Sequence, residues 1–220
     1  MKTDYVQPEN IVERAHAWLE ELKPYTRHPF QPASLGQRPC LLILDMQRFF
    51  IDESSPAYIP AGKALIAPIE NLLEAFRSRN FPVIFTRHVD RPNDIQGPMY
   101  TWWNHLMKPD HPLSELYPAF ADRPREIVTV KNQYSAFHST RLELLLKQLR
   151  VSSLSICGVM THLCCDSTAR DAFMRGFKVT VLVDAMATLN ETLHLSSLRG
   201  LVHGFATPTL SKEVIGGIGS

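Results

Sequence analysis

Six short apolar runs, each too continuous to belong to a half-exposed strand, constrain this chain more than any other feature. They are CLLILD (40–45), FPVIFTRH (81–88), EIVTVK (126–131), SLSICG (153–158), KVTVLVD (178–184) and FATPTL (205–210). A strand covered on one face alternates apolar with polar residues, whereas a strand covered on both faces has no reason to, so these runs fit a parallel sheet enclosed by helices. Helical patterns at about 62–79, 139–149, 165–175 and 192–203 separate them, and Thr140 with Glu143 is spaced as a capping box for the second. Strand alternating with helix predicts an α/β fold, a three-layer Rossmann-like doubly wound sheet of about six parallel strands with helices on both faces.

At 220 residues and 45% hydrophobic content, the chain is expected to form one domain over 1–220. Residues 8–22 place Ile11, Ala15, Trp18, Leu19 and Leu22 on one helical face, so residues 1–38 read as an N-terminal helical arm followed by a surface crossing from 24 to 38. Residues 89–124 have no clear period; with two tryptophans and several prolines they read as an ordered lid over a site. A formal charge of +1 supplies no electrostatic footprint for nucleic acid or an anionic membrane, which leaves a small-molecule substrate as the expected partner. The opening MKTDYVQPEN holds no apolar signal core, and no run approaches the roughly 18 apolar residues of a membrane span, so a cytoplasmic protein is expected. Cys40, Cys157, Cys164 and Cys165 form neither a CxxC pair nor a disulfide framework, in keeping with a reducing compartment.

Open parallel sheets bind ligands beyond the carboxyl ends of their strands. Asp45 closes one run, Lys131 closes another, and Cys164 follows the turn after a third. A cysteine attacks as the thiolate, which an ammonium and a helix N-terminus both favour, and a carboxylate can take the thiol proton and return it to a leaving amine. The three residues would serve as base, cation and nucleophile. Adjacent helical residues point about 100° apart, so Cys164 and Cys165 cannot both face the cleft. Orientation alone does not say which one does.

The stretches LLILDMQRFF, VKNQYSAFHST and CGVMTHLCCDSTARDAFMRGFKVTVLVDA, in that order and spacing, resemble the isochorismatase-like, or cysteine hydrolase, superfamily over roughly residues 39–212. The resemblance implies an Asp-Lys-Cys triad at Asp45, Lys131 and Cys164. It also implies a cis peptide at Val159 to Met160, which aims the Met160 amide, with that of Cys164, at a developing oxyanion. Nicotinamidases in that superfamily carry an Asp-x-His pair and further histidines on a metal. The stretch after DMQRFF here reads Asp52, Glu53, Ser54, so no metal and no cofactor is expected, and His88, His105, His111, His138 and His162 are read as hydrogen-bonding or solvent-facing. Isochorismatases proper share YSAFH, seen at Tyr134–His138, but have glycine in place of Cys164 and glutamine near His88, and they protonate a vinyl ether from the aspartate. Ureidoacrylate-type amidohydrolases also carry a Tyr-Ser-x-Phe stretch.

The retained thiol therefore favours a cysteine-dependent hydrolase of an amide, ureido or carbamoyl C–N bond. Vinyl ether hydrolysis with Asp45 as acid is the alternative, and a catalytically idle oligomeric scaffold the second. Phe49, Trp102, Trp103, Tyr134 and Phe137 are candidates for an apolar substrate wall, His88 for a polar contact, and Arg87 or Arg91 for a substrate carboxylate. The resemblance implies a homodimer or homotetramer.

Overall fold

The computed structural model describes residues 2–90, 97–105, 107–120 and 126–219. Strands β1 (Pro39–Leu44), β2 (Val83–His88), β3 (Ile127–Lys131), β4 (Ser153–Val159), β5 (Lys178–Ala187) and β6 (Thr207–Thr209) pair in parallel in the order β3-β2-β1-β4-β5-β6. β1 and β4 are buried along their whole length, Ser153 and Ser155 of β4 included. β3 departs from that reading: it is an edge strand whose first four residues keep solvent contact, and Val130 is 49% exposed. Its β-branched residues answer to strand propensity rather than to cover on both faces.

The helices are α1 (Ile11–Leu22), α2 (Arg48–Ile51), α3 (Ile66–Ser78), α4 (Pro98–Trp103), α5 (Leu142–Gln148), α6 (Asp166–Met174), α7 (Glu191–Gly204) and α8 (Ser211–Gly217). The amphipathic arm docks as α1, burying Ile11, Ala15, Trp18 and Leu22, and the Trp18 indole donates to Glu191 Oε1 at 2.6 Å. The segment 24–38 is not wholly a surface crossing, because Leu35, the last residue of a 3-10 turn, is buried. Thr140 does not close a capping box with Glu143. Its hydroxyl instead donates to Ala136 O at 2.6 Å and accepts from the Leu142 amide at 3.2 Å, while Glu143 turns to Lys147 and Arg175. Helix α8 has no counterpart in the expected pattern. Its first amide and hydroxyl, both of Ser211, donate to buried Asp184 at 2.8 and 2.5 Å, so a carboxylate 27 residues upstream supplies the cap.

The strand order reverses direction between β1 and β4, which opens a crevice at their carboxyl ends. Gly158 makes that crevice possible: it adopts φ +109° inside β4, and a Cβ there would stand 2.1 Å from the Leu44 carbonyl oxygen. The chain then passes through a π-helical turn, Thr161–Cys165, straight into α6, so this helix starts earlier than its apolar period showed. Gly158→Ala combines a disfavoured backbone with a backbone clash and should lower stability by on the order of 3 kcal/mol or more, read as a fall in the urea midpoint. A midpoint at wild type would mean that the two strands are free to separate there.

Candidate active site

Asp45 is the first residue past β1 and turns there with φ 52°. Lys131 ends β3, two strand spacings of about 4.8 Å from β1. It stands in register with His88, so its side chain shares a face with Thr86 and His88 and crosses β2 toward the crevice. Its ammonium reaches 2.7 Å from Asp45 Oδ2 and donates to Cys164 Sγ at 3.3 Å and to Gln133 O at 3.1 Å. The Thr86 hydroxyl donates to Asp45 Oδ1 at 2.6 Å and accepts from the Asp45 amide at 3.1 Å. Oδ2 has the ion-pair contact but no aligned hydrogen bond, which leaves it a lone pair for a proton. Asp45 and Lys131 are thus brought together with Cys164, while Cys165 is fully buried in the core.

Electrostatics modify one expectation. An ammonium beside the sulfur was reason to expect a depressed thiol pKa. Burial raises it, Lys131 opposes, Asp45 adds to the rise, and the balance leaves Cys164 pushed up to about 12. Burial also acts against the Lys131 charge, but Asp45 and the sulfur more than offset it and hold the ammonium above its ordinary value. Burial thus favours the neutral form of the Cys164 thiol, while its partners favour the charged form of Lys131.

Cys164 opens on a cavity of about 370 Å³ whose wall includes Phe49, Phe50, Met99, Trp103, Tyr134 and Leu163. Of the aromatic residues expected there, Phe49, Trp103 and Tyr134 take part, and the Trp103 indole donates to the Tyr134 hydroxyl at 2.8 Å. Trp102 and Phe137 do not. Trp102 sits on the outer side of the short helix α4 at 80% exposure, and Phe137 packs against Phe177 and beneath the Arg175 guanidinium. Arg87 is committed to Ser114, donating to its carbonyl and hydroxyl at 2.7 Å each, and Arg91 lies outside the described residues.

His88 lines the cavity as expected, and its setting is more elaborate than its sequence position suggested. Buried Gln47 accepts from the His88 amide at 2.7 Å and donates to the His88 carbonyl at 3.1 Å and to Ser114 O at 2.7 Å. His88 Nε2 lies 3.3 Å from Asp90 Oδ1, and Asp90 Oδ2 accepts from the Met107 amide at 2.5 Å. Burial acts to raise the Asp90 carboxyl, but His88 and the Met107 amide outweigh it and hold it below its ordinary value. His105 stacks on Phe49 at 4.8 Å, with its pKa lowered by burial, His111 accepts from the Leu113 amide, His138 is exposed, and His162 pairs with Thr188 at 2.6 Å. Among the described residues no group of three or more His, Cys, Asp or Glu is arranged to hold a metal ion. Gln47, Thr86 and Asp90 were missed, although Thr86 and Asp90 fall two residues either side of His88, the period that puts side chains on one face of a strand.

A parallel α/β sheet with these groups gathered at its switch point belongs to the Rossmann-like hydrolase class, and comparison with known proteins narrows it. The Isochorismatase domain model matches residues 39–213. Nicotinamidase 3 of Arabidopsis thaliana is 35% identical over 76% of this chain and 81% of its own length. Enterobactin synthase component B of Escherichia coli K12 is 32% identical over 81% of this chain and 63% of its own. Among solved structures, a cysteine hydrolase from Pseudomonas syringae pv. phaseolicola 1448A superposes with a TM-score of 0.81 at 28% identity, over 88% of this chain and 96% of its own. The chain belongs to the isochorismatase family of hydrolases. No helix among the described residues is long and apolar enough to cross a membrane.

The raised thiol gives a direct test. The thiolate fraction of a group titrating near about 12 grows tenfold per pH unit below that point, so alkylation of Cys164 by iodoacetamide should climb without a plateau between about pH 7 and pH 10. A plateau reached near neutrality, followed by peptide mass mapping, would instead reveal a standing thiolate.

Proposed function

We propose that the protein is a cysteine-dependent hydrolase of a small-molecule amide, ureido or carbamoyl C–N bond, acting through a thioester on Cys164. The observation that carries this reading is the placement of the Lys131 ammonium 2.7 Å from Asp45 and 3.3 Å from the Cys164 sulfur, with only the sulfur of the three opening on the cavity. Asp45 takes the thiol proton through its unaligned Oδ2 as the sulfur attacks the carbonyl carbon. Lys131 balances the negative charge that moves between oxygen and sulfur. The Met160 and Cys164 amides, at the start of the helical segment that carries the nucleophile, receive the oxyanion. The C–N bond then breaks, the amine leaves with the proton from Asp45, and water hydrolyses the thioester.

The likeness to a nicotinamidase supports amide chemistry, and that to a cysteine hydrolase supports a thiol nucleophile. Vinyl ether hydrolysis is the weaker reading, because it leaves without a role the Cys164 sulfur that opens on the cavity. Phe49, Trp103 and Tyr134 would bound the substrate and His88 would face its polar part.

Cys164→Ala should lower turnover of a responsive amide or carbamoyl compound by more than about 10³-fold, while Cys165→Ala keeps most of it. Incubating wild type with a panel of amides, ureas and carbamates should leave an acyl adduct on the Cys164 peptide. The opposite mutational pattern, or turnover by Cys164→Ala, would sink the thioester reading.

A further inference from the structure

The segment ahead of α1 reaches the cavity from outside the family-matched residues 39–213, and we infer that it belongs to the substrate site. Lys2 pairs there with a carboxylate that the substrate carries away from its scissile bond. The inference rests on the hydrolase reading above and adds to it a charge that the substrate bears.

Residues 3–6 are tied to the body of the protein beside the crevice. The Thr3 amide donates to Leu189 O at 2.8 Å, and the Tyr5 hydroxyl accepts from the Thr188 amide at 3.1 Å. Both partners follow β5 directly, at the carboxyl end of the sheet where the cavity opens. The Tyr5 ring packs 5.8 Å from His194 and 5.9 Å from Trp18, and Val6 is buried in the core. This anchoring sets Lys2 on the wall of the cavity that Cys164 also lines. The Lys2 ammonium donates to Pro56 O at 3.0 Å, and Pro56, Ala57 and Leu189 are wall residues as well. The strap thus spans one edge of the cavity, from the turn after β5 to the chain between α2 and α3.

The other ionisable groups along the described wall are already engaged. Asp90 meets His88 and the Met107 amide, and His105 lies flat on Phe49 with an interplanar angle of 7°. Arg87, expected to meet a carboxylate, is turned to Ser114. Lys2 holds its charge against a neutral carbonyl, with no acidic side chain among the described residues in ion-pair contact with it. An ammonium bonds more strongly to a carboxylate than to a carbonyl, and the four-carbon stem of lysine lets it leave Pro56 without moving the backbone.

A pair of thiol reagents tests the site without any hydrolysis. 3-Maleimidopropionate and N-ethylmaleimide share one reactive ring and differ by a carboxylate, and the rate at which each alkylates Cys164 is read by peptide mass at one alkaline pH. Lys2→Met should slow the charged reagent by about 5- to 50-fold and leave N-ethylmaleimide within about twofold of wild type, which also reports an intact site. Lys2→Arg should keep most of the wild-type preference, and about 1 M sodium chloride should erode it. Thr3→Pro, which removes the amide that holds the strap to Leu189, should lose most of it. Among amides that the enzyme turns over, an acid and its methyl ester should separate in the same way, in KM rather than kcat. A ratio of the two alkylation rates within about twofold of wild type in Lys2→Met would overturn the inference. Absence of an acyl adduct from the whole amide panel, with the ratio still dependent on Lys2, would instead sink the hydrolase reading and leave the carboxylate site standing.

Discussion

The Lys131 ammonium is the contact on which the remainder of the site depends. It is buried where a lone charge would cost several kcal/mol, and it persists because it donates to Cys164 and Gln133 and is ion-paired with Asp45. Those partners follow β1, β4 and β3 in turn, so one cation ties the edge of the sheet to both sides of the switch point. Withdrawing it would leave the Asp45 carboxylate buried and uncompensated, a loss in the range of about 3–5 kcal/mol for such pairs. The same contact sets a carboxylate and an ammonium beside the Cys164 sulfur, whose thiol burial holds above its ordinary range.

The site divides into a sealed half and an open half, with Cys164 belonging to both. Behind the sulfur lie Asp45, Lys131 and Thr86, dry and tightly bonded. In front of it lie the aromatic wall and the His88–Asp90 pair, which cavity water can reach. Gln47 and Ser114 connect the two halves. Gln47 grips His88 and Ser114, Ser114 receives Arg87, and the end of β2 is thereby tied to Ser114 through two fully buried polar side chains, Gln47 and Ser114. The low dielectric around these bonds makes each of them stronger and makes any unpaired member more costly.

Two paired features in the chain show where local reading stops. Cys164 and Cys165 are chemically identical neighbours, and only the path of the π-helical turn decides that one meets the cavity and the other the core. Trp102 and Trp103 are likewise adjacent, and one rotates into the wall while the other stands in solvent at 80% exposure. Phe137 had the composition of a wall residue, yet the turn between α6 and β5 offered it Phe177 and Arg175 instead. For Trp103 and Phe137 the partners, Tyr134 and Phe177, are distant in sequence, and no short window along the chain contains them.

What the chain's own order of residues determined was the frame: largely apolar runs favour cover on both faces, which every strand but the edge strand β3 largely has, so a helix-covered parallel sheet follows, with Asp45, Lys131 and Cys164 at the strand ends where such sheets leave space. The order of strands, the edge position of β3, the cap that Asp184 lends to α8 and the meeting of Gln47 with His88 were decided only in three dimensions. The physical reason is the same throughout. Hydrophobic periodicity is a local demand for burial and is written residue by residue, whereas a hydrogen bond or ion pair needs two groups whose separation exists only after the chain has closed on itself.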